Sequence, residues 1–129
     1  MKRIRILLAD DHELMRKGLR TLLENEPDFE VVAEAQNGRQ AIDLVREHLP
    51  QIVVMDVTMP DMSGIIATNQ ITAELPAVKV LGLSMHPAGN IVGEMLKAGA
   101  AGYLTKNCAA EELANAIRLI SQGKIYLSP

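Results

Sequence analysis

The sequence predicts a single α/β domain built on an open, doubly wound parallel sheet of five βα units. Strand-like and helix-like segments alternate strictly with short connections, which implies parallel pairing through right-handed crossovers. The strand segments are continuous aliphatic runs, as strands covered on both faces should be. At 129 residues the chain has about half the length of a closed eight-fold barrel, so the open sheet is preferred.

Taken in order, Ile4 to Ala9 is the first aliphatic run, and Leu14, Gly18, Leu19, Leu22 and Leu23 follow at helical spacing. Pro27 and Asp28 stop that helix, and Phe29 to Ala35 reads as the second strand. Asn37-Gly38 turns the chain into a helix carrying Ala41, Ile42, Leu44, Val45 and Leu49, which Pro50 closes. Ile52 to Met55 is the third strand, Met59 to Gly64 a long loop, and Ile65 to Glu74 a helix ending before Pro76. Val78 to Leu83 is the fourth strand. After a break at His86-Pro87, Ile91, Val92, Met95 and Leu96 mark a helix that Gly99 ends. Gly102 to Thr105 is a short fifth strand, and Glu111 to Gln122 the last helix.

Bulk properties narrow the function classes. The chain is 48% hydrophobic and 22% charged, the balance of a folded globular domain. A net charge of -3 leaves no basic field to hold a polyanion, so nucleic-acid binding is not expected of this chain by itself. Cys108 is the only cysteine, which excludes an internal disulfide and suits a reducing cytoplasm. The apolar stretch near the N-terminus breaks at two aspartates before it could serve as a signal sequence, and no run is long enough to cross a bilayer.

The chemistry lies where the strands end. Four apolar runs stop at Asp10-Asp11, Asp56, Ser84 and Lys106, and parallel strands bring these ends to one rim. Three carboxylates there repel by about 3 to 4 kcal/mol per close pair at an effective dielectric near 20, so a positive partner is required. Magnesium suits carboxylate oxygens, a loop carbonyl and water better than a soft metal does, and no His or Cys cluster competes. Each residue also has a plainer reading. Asp10-Asp11 could be a helix cap, Lys106 a counter-ion to the acids, Ser84 a turn residue and Tyr103 a half-buried strand aromatic. The convergence of all of them on one rim favours a phosphoryl-transfer and divalent-cation site. His12 and His48 read as solvated helix residues, Cys108 as inert, and the seven Met residues as core and loop fillers.

The segments LLADDHELMR, VVMDVTMPDMSG, LGLSMH and AAGYLTKN, in this order, resemble the receiver domain of two-component response regulators, and the resemblance covers essentially the whole chain. It implies a flavodoxin-like sheet of strand order 2-1-3-4-5. It implies Asp56 as the phosphoacceptor, taking a phosphoryl group from a sensor histidine kinase. Asp10, Asp11 and Asp56, with the backbone carbonyl of Thr58, would hold Mg2+, and Lys106 and Ser84 would hold phosphoryl oxygens. Ser84 and Tyr103 would form the switch, acting on the surface of the helix Asn90 to Ala98, the fifth strand and the last helix. Thr58 and His86 occupy positions that tune dephosphorylation. The protein so implied is a cytoplasmic signalling phosphoacceptor and not an enzyme beyond its own phosphorylation and dephosphorylation, with dimerisation on phosphorylation.

Finer details, including LSMH, GAAGYLTKN and the stretch Gly123 to Pro129, resemble the LuxR/NarL/FixJ-type subfamily, whose members continue into a helix-turn-helix DNA-binding domain. On that resemblance residues 1–122 form the receiver and 123–129 the start of a linker, and transcriptional control belongs to a domain absent from this chain. Two departures stand out. Asn107 follows Lys106 where the family often has a cis proline, and Pro87 and Gly89 lie where a helix-starting acidic residue is common.

Three alternatives compete with this assignment. A haloacid dehalogenase-type phosphatase also uses a strand-terminal Asp nucleophile with magnesium, but it wants a second Asp where this chain has Thr58. A flavodoxin-like nucleotide or flavin binder lacks its Gly-rich phosphate loop here, because Asp10-Asp11-His12 would repel a phosphate. A degenerate receiver would act by binding alone.

Overall fold

The computed structural model describes residues 3–59, 62–85, 89–108 and 110–127, with the side chains of residues 89 and 90 left aside. The elements alternate as β1 (Ile4–Ala9), α1 (Glu13–Glu24), β2 (Phe29–Ala35), α2 (Gly38–His48), β3 (Ile52–Asp56), α3 (Gly64–Glu74), β4 (Lys79–Ser84), α4 (Gly89–Lys97), β5 (Gly102–Thr105), α5 (Ala110–Ser121) and β6 (Tyr126–Leu127). All strands pair in parallel in one sheet of order β2-β1-β3-β4-β5-β6.

The predicted doubly wound sheet and its order 2-1-3-4-5 are present, and the structure adds a sixth strand at the β5 edge. That strand lies inside the stretch assigned from sequence to the start of a linker. A two-residue strand carries too little pattern to be read in advance. Pro60, Asp61, His86, Pro87, Ser128 and Pro129 lie outside the described residues, and with them the expected roles of His86 and of the break at His86-Pro87.

Alternation along the strands divides the core into two layers. Leu7, Ala9, Val53 and Met55 face one way, into a cluster with Ile42 and Val45 of α2, Ala67 and Ile71 of α3 and Met95 of α4. Ile6, Leu8, Val54, Leu81 and Leu104 face the other way, against Leu19 and Leu23 of α1 and Leu113 and Ile117 of α5. Both faces being covered is why the strands read as unbroken apolar runs.

Helix α1 departs from the expected pattern. Its buried stripe is Arg16, Leu19 and Leu23, while Leu14 is 86% exposed and Leu22 also faces out. Glu34 and a backbone carbonyl stabilise the Arg16 guanidinium inside, and the outward leucines line an open cavity of about 820 Å3 with Met85, Cys108 and Leu113.

Candidate functional site

The rim formed by the carboxyl ends of β1, β3, β4 and β5 carries the predicted residues. Asp10 follows β1 directly and Asp56 is the last residue of β3; both are buried. Register places Asp56 opposite Leu83, one residue before Ser84, and Ser84 opposite Thr105, one residue before Lys106. The Lys106 amide donates to the Ser84 carbonyl at 2.8 Å, which fixes the turn that sends the lysine side chain back over the rim.

Lys106 Nζ stands 3.0 Å from Asp10 Oδ2 and 3.1 Å from Asp56 Oδ2, with its side chain 3% exposed. The positive partner that the acidic rim requires is therefore this ammonium, within ion-pair distance of both carboxylates. The other oxygen of Asp56, Oδ1, accepts from the Thr58 amide at 3.1 Å. Asp10 Oδ1 accepts from the His12 amide at 2.8 Å.

The loop after Asp56 is closed tightly. The Gly64 amide donates to the Val57 carbonyl at 2.8 Å, and a Cβ at Gly64 would stand 2.2 Å from the Asp56 carbonyl oxygen. Only glycine permits that approach.

Burial is the main reason that the Asp56 carboxyl is pushed up to about 6. The hydrogen bond and charge of Lys106 oppose that rise, the Asp10 charge adds to it, and the Thr58 amide opposes it. Burial pulls Lys106 down, but the two aspartates more than offset it and leave the ammonium raised.

The acids fit a hard divalent cation. Asp10, Asp11, His12 and Asp56 each offer one ligand atom, all within 4.8 Å of one another. Asp11 Oδ1 is buried without a hydrogen bond, an acceptor whose burial is costly unless something positive meets it. His12, expected to be a plain solvated residue, is largely exposed, yet its Nδ1 lies 3.2 Å from Asp11 Oδ1 and 3.3 Å from Asp10 Oδ1. Thr58 is exposed beside the site.

Tyr103 is buried against the α4 side of the sheet, in the layer that holds Met95. It pairs across the strands with Gly82, where an added Cβ would meet Met95 Cε at 2.6 Å and Tyr103 Cδ1 at 3.6 Å. The Lys106–Asn107 peptide is trans.

Arg16 was missed. Its Nη1 donates to the Asp10 carbonyl at 2.7 Å, directly behind the acidic cluster. The available signal was an arginine three residues before Leu19 and seven before Leu23, on the stripe that a helix turns inward.

The sequence matches the response regulator receiver domain family over residues 6–118. The chain belongs to that family. It is 41% identical over 127 residues to the transcriptional regulatory protein DegU of Brevibacillus brevis, covering 98% of this chain and 54% of the relative. It is 43% identical over 121 residues to the transcriptional regulatory protein LiaR of Bacillus subtilis, covering 94% of this chain and 57% of the relative. A crystal structure of a LuxR-family two-component response regulator from Aurantimonas sp. SI85-9A1 superposes with a TM-score of 0.95 at 41% identity, covering 99% of this chain and 91% of that one.

This receiver domain therefore spans little more than half the length of the curated relatives it matches. It is of the LuxR/NarL type, and the dehalogenase-like, flavin-binding and binding-only alternatives gain no support. Among its described residues no helix is long and apolar enough to cross a membrane.

Proposed function

We propose that this receiver takes a phosphoryl group on Asp56 from the phosphohistidine of a sensor kinase. Asp56 supports this reading best: a buried carboxylate at a strand end, with an ammonium at 3.1 Å and an acidic cluster beside it. An Asp56 carboxylate oxygen attacks phosphorus and forms a P–O bond, while the P–N bond breaks. The bonding pair leaves with the imidazole, which picks up a proton.

Asp10, Asp11, Asp56 and the Thr58 carbonyl would hold Mg2+, which when bound supplies charge to neutralise the phosphoryl oxygens. Lys106 sits where it can leave its carboxylates for an incoming phosphoryl oxygen, and Ser84 donates a hydroxyl from the next strand end. Thr58 and His86 tune how long the acyl phosphate lasts.

The added group carries nearly two negative charges and three acceptor oxygens, and it draws Ser84 and Lys106 toward it. With Ser84 and Tyr103 as the switch, the surface of α4, β5 and α5 changes and alters dimerisation. The domain is a cytoplasmic signalling phosphoacceptor, catalysing nothing beyond its own phosphorylation and dephosphorylation. Transcriptional control runs through a C-terminal DNA-binding domain like those of LuxR-type regulators.

The test is the intact mass of the chain after incubation with acetyl phosphate, with and without magnesium, for wild type and Asp56→Asn. The expected result is a single magnesium-dependent, base-labile phosphate that the variant lacks. Uptake by Asp56→Asn would move the site elsewhere, and no adduct in any condition would leave a receiver that works by binding alone.

A further inference from the structure

Arg16 is buried at a place where the core could take a leucine, and burying a guanidinium offers little stability over an apolar side chain of similar volume. Its contacts are geometric. Nε donates to Glu34 Oε1 at 2.8 Å, Arg20 holds the other Glu34 oxygen, and Nη1 donates to the Asp10 carbonyl at 2.7 Å. The Asp10 amide in turn donates to the Ala35 carbonyl of β2 at 3.0 Å. The Asp10 backbone is thus gripped from β2 on one side and from α1 on the other. The carbonyl that Arg16 holds belongs to the Asp10–Asp11 peptide, whose plane sets where both carboxylates begin.

We propose that Arg16, anchored by Glu34, is a positioning residue for the divalent cation: by holding the Asp10–Asp11 peptide it aims the Asp10 and Asp11 carboxylates. The inference rests on the reading that these carboxylates hold the cation. It has a distinctive sign. As a mere positive charge near the site Arg16 would oppose cation binding, so its removal would tighten the cation; as a positioning residue its removal loosens it.

The experiment is a titration of the 129-residue chain with Mn2+ followed by electron paramagnetic resonance, for wild type, Arg16→Met, Arg16→Lys, Glu34→Gln and Asp11→Asn. Loss of a partner that orients a metal ligand weakens metal affinity about 10-fold or more. That loss is expected for Arg16→Met, with partial rescue by Arg16→Lys, which keeps a donor for the carbonyl, and a smaller loss for Glu34→Gln, which leaves Arg16 unanchored. The magnesium concentration giving half-maximal labelling by acetyl phosphate should rise in step, with a smaller change at saturating magnesium.

Unchanged or tighter Mn2+ binding in Arg16→Met overturns the proposal. If that variant does not fold, wild-type affinity in both Arg16→Lys and Glu34→Gln overturns it equally. Should wild type fail to bind Mn2+, or Asp11→Asn bind as well as wild type, the cation site itself is refuted and the proposal with it. Normal wild-type binding beside unaffected Arg16 and Glu34 variants refutes the proposal alone.

Discussion

Asp56 is costly to the fold that holds it. Burial is the chief reason its carboxyl is pushed up to about 6, so the folded chain holds this proton more tightly than the unfolded one does. The protonated group favours the fold, and that advantage is lost as pH rises from about 4 through about 6. Above pH 7 the ionised carboxylate then opposes folding in the absence of a divalent cation. Asp56→Asn should accordingly raise the melting temperature at pH 7.5 in chelator, with the gain fading as pH approaches 4; a variant less stable than wild type at pH 7.5 would show that the Lys106 ion pair outweighs burial. The acids and Lys106 were legible in the sequence because a parallel strand is apolar until it leaves the sheet, so the first polar residue marks the rim. Arg16 on α1 was not, because its role depends on Glu34, eighteen residues away on β2. His12 was not, because its backbone capping of Asp10 and its ring contacts are local geometry that spacing does not encode.

Elements were legible where local chemistry and tertiary packing agree. Asn37 accepts from the Gln40 amide at 2.9 Å and Ser63 from the Ile66 amide at 3.3 Å, so two helices begin where polar caps precede apolar periodicity. They were less legible where packing decides. Helix α2 ends at Leu49 in the left-handed region at φ 48, without the glycine usually found there. In α1, two stripes were apolar enough to face the sheet, and polar partners inside selected the one containing Arg16. The link between α5 and the turn before β2 also escaped sequence reading. Arg118 binds Asp28 through both oxygens, at 2.8 and 2.9 Å, and stacks 4.9 Å over the Phe29 ring. The hydrogen bond from Arg118 holds the Asp28 carboxyl below its ordinary value, so the stability it adds is present above pH 4 and is lost as pH falls through the depressed value. Asp28 is a third exposed, which limits the effect to about 1 kcal/mol. Asp28→Asn should lower the urea midpoint at pH 7 and leave it unchanged at a pH below the titration of the wild-type carboxyl; an equal loss at both would assign the effect to packing instead.

At the scale of the whole molecule, the sixth strand changes what the sheet can connect. Without it β5 would be an open edge, and an edge strand is a pairing hazard that folds tend to cover. With it, Gly102 pairs with Tyr126 and Tyr103 with Leu127, so the strand carrying the buried tyrosine and leading into Lys106 is bonded to the last described residues of the chain. The Tyr126 amide donates to the Ala101 carbonyl at 3.0 Å, and its hydroxyl donates to Glu112 Oε2 at 2.8 Å, which holds the phenol above its ordinary range. This packing depends on Gly102, where an added Cβ would lie 2.7 Å from the Tyr126 carbonyl oxygen, 2.8 Å from Ile120 Cδ1 and 3.0 Å from Leu81 Cδ1. Those neighbours are backbone and close-packed core, and overpacking of this kind costs about 1 to 3 kcal/mol. Releasing β6 relieves the closest of the three contacts while the other five strands keep their pairing. Gly102→Ala should therefore lose hydrogen-exchange protection at the Tyr126 amide and let the Tyr126 phenol titrate nearer its ordinary value as the bond to Glu112 breaks. Labelling of Asp56 by acetyl phosphate should persist, since the rim is held by Lys106, the Thr58 amide and Gly64, while β6 pairs with Gly102 and Tyr103. If labelling falls together with the exchange protection, β6 and the acidic rim form one cooperative unit, and the sixth strand belongs to the site as much as to the edge it covers.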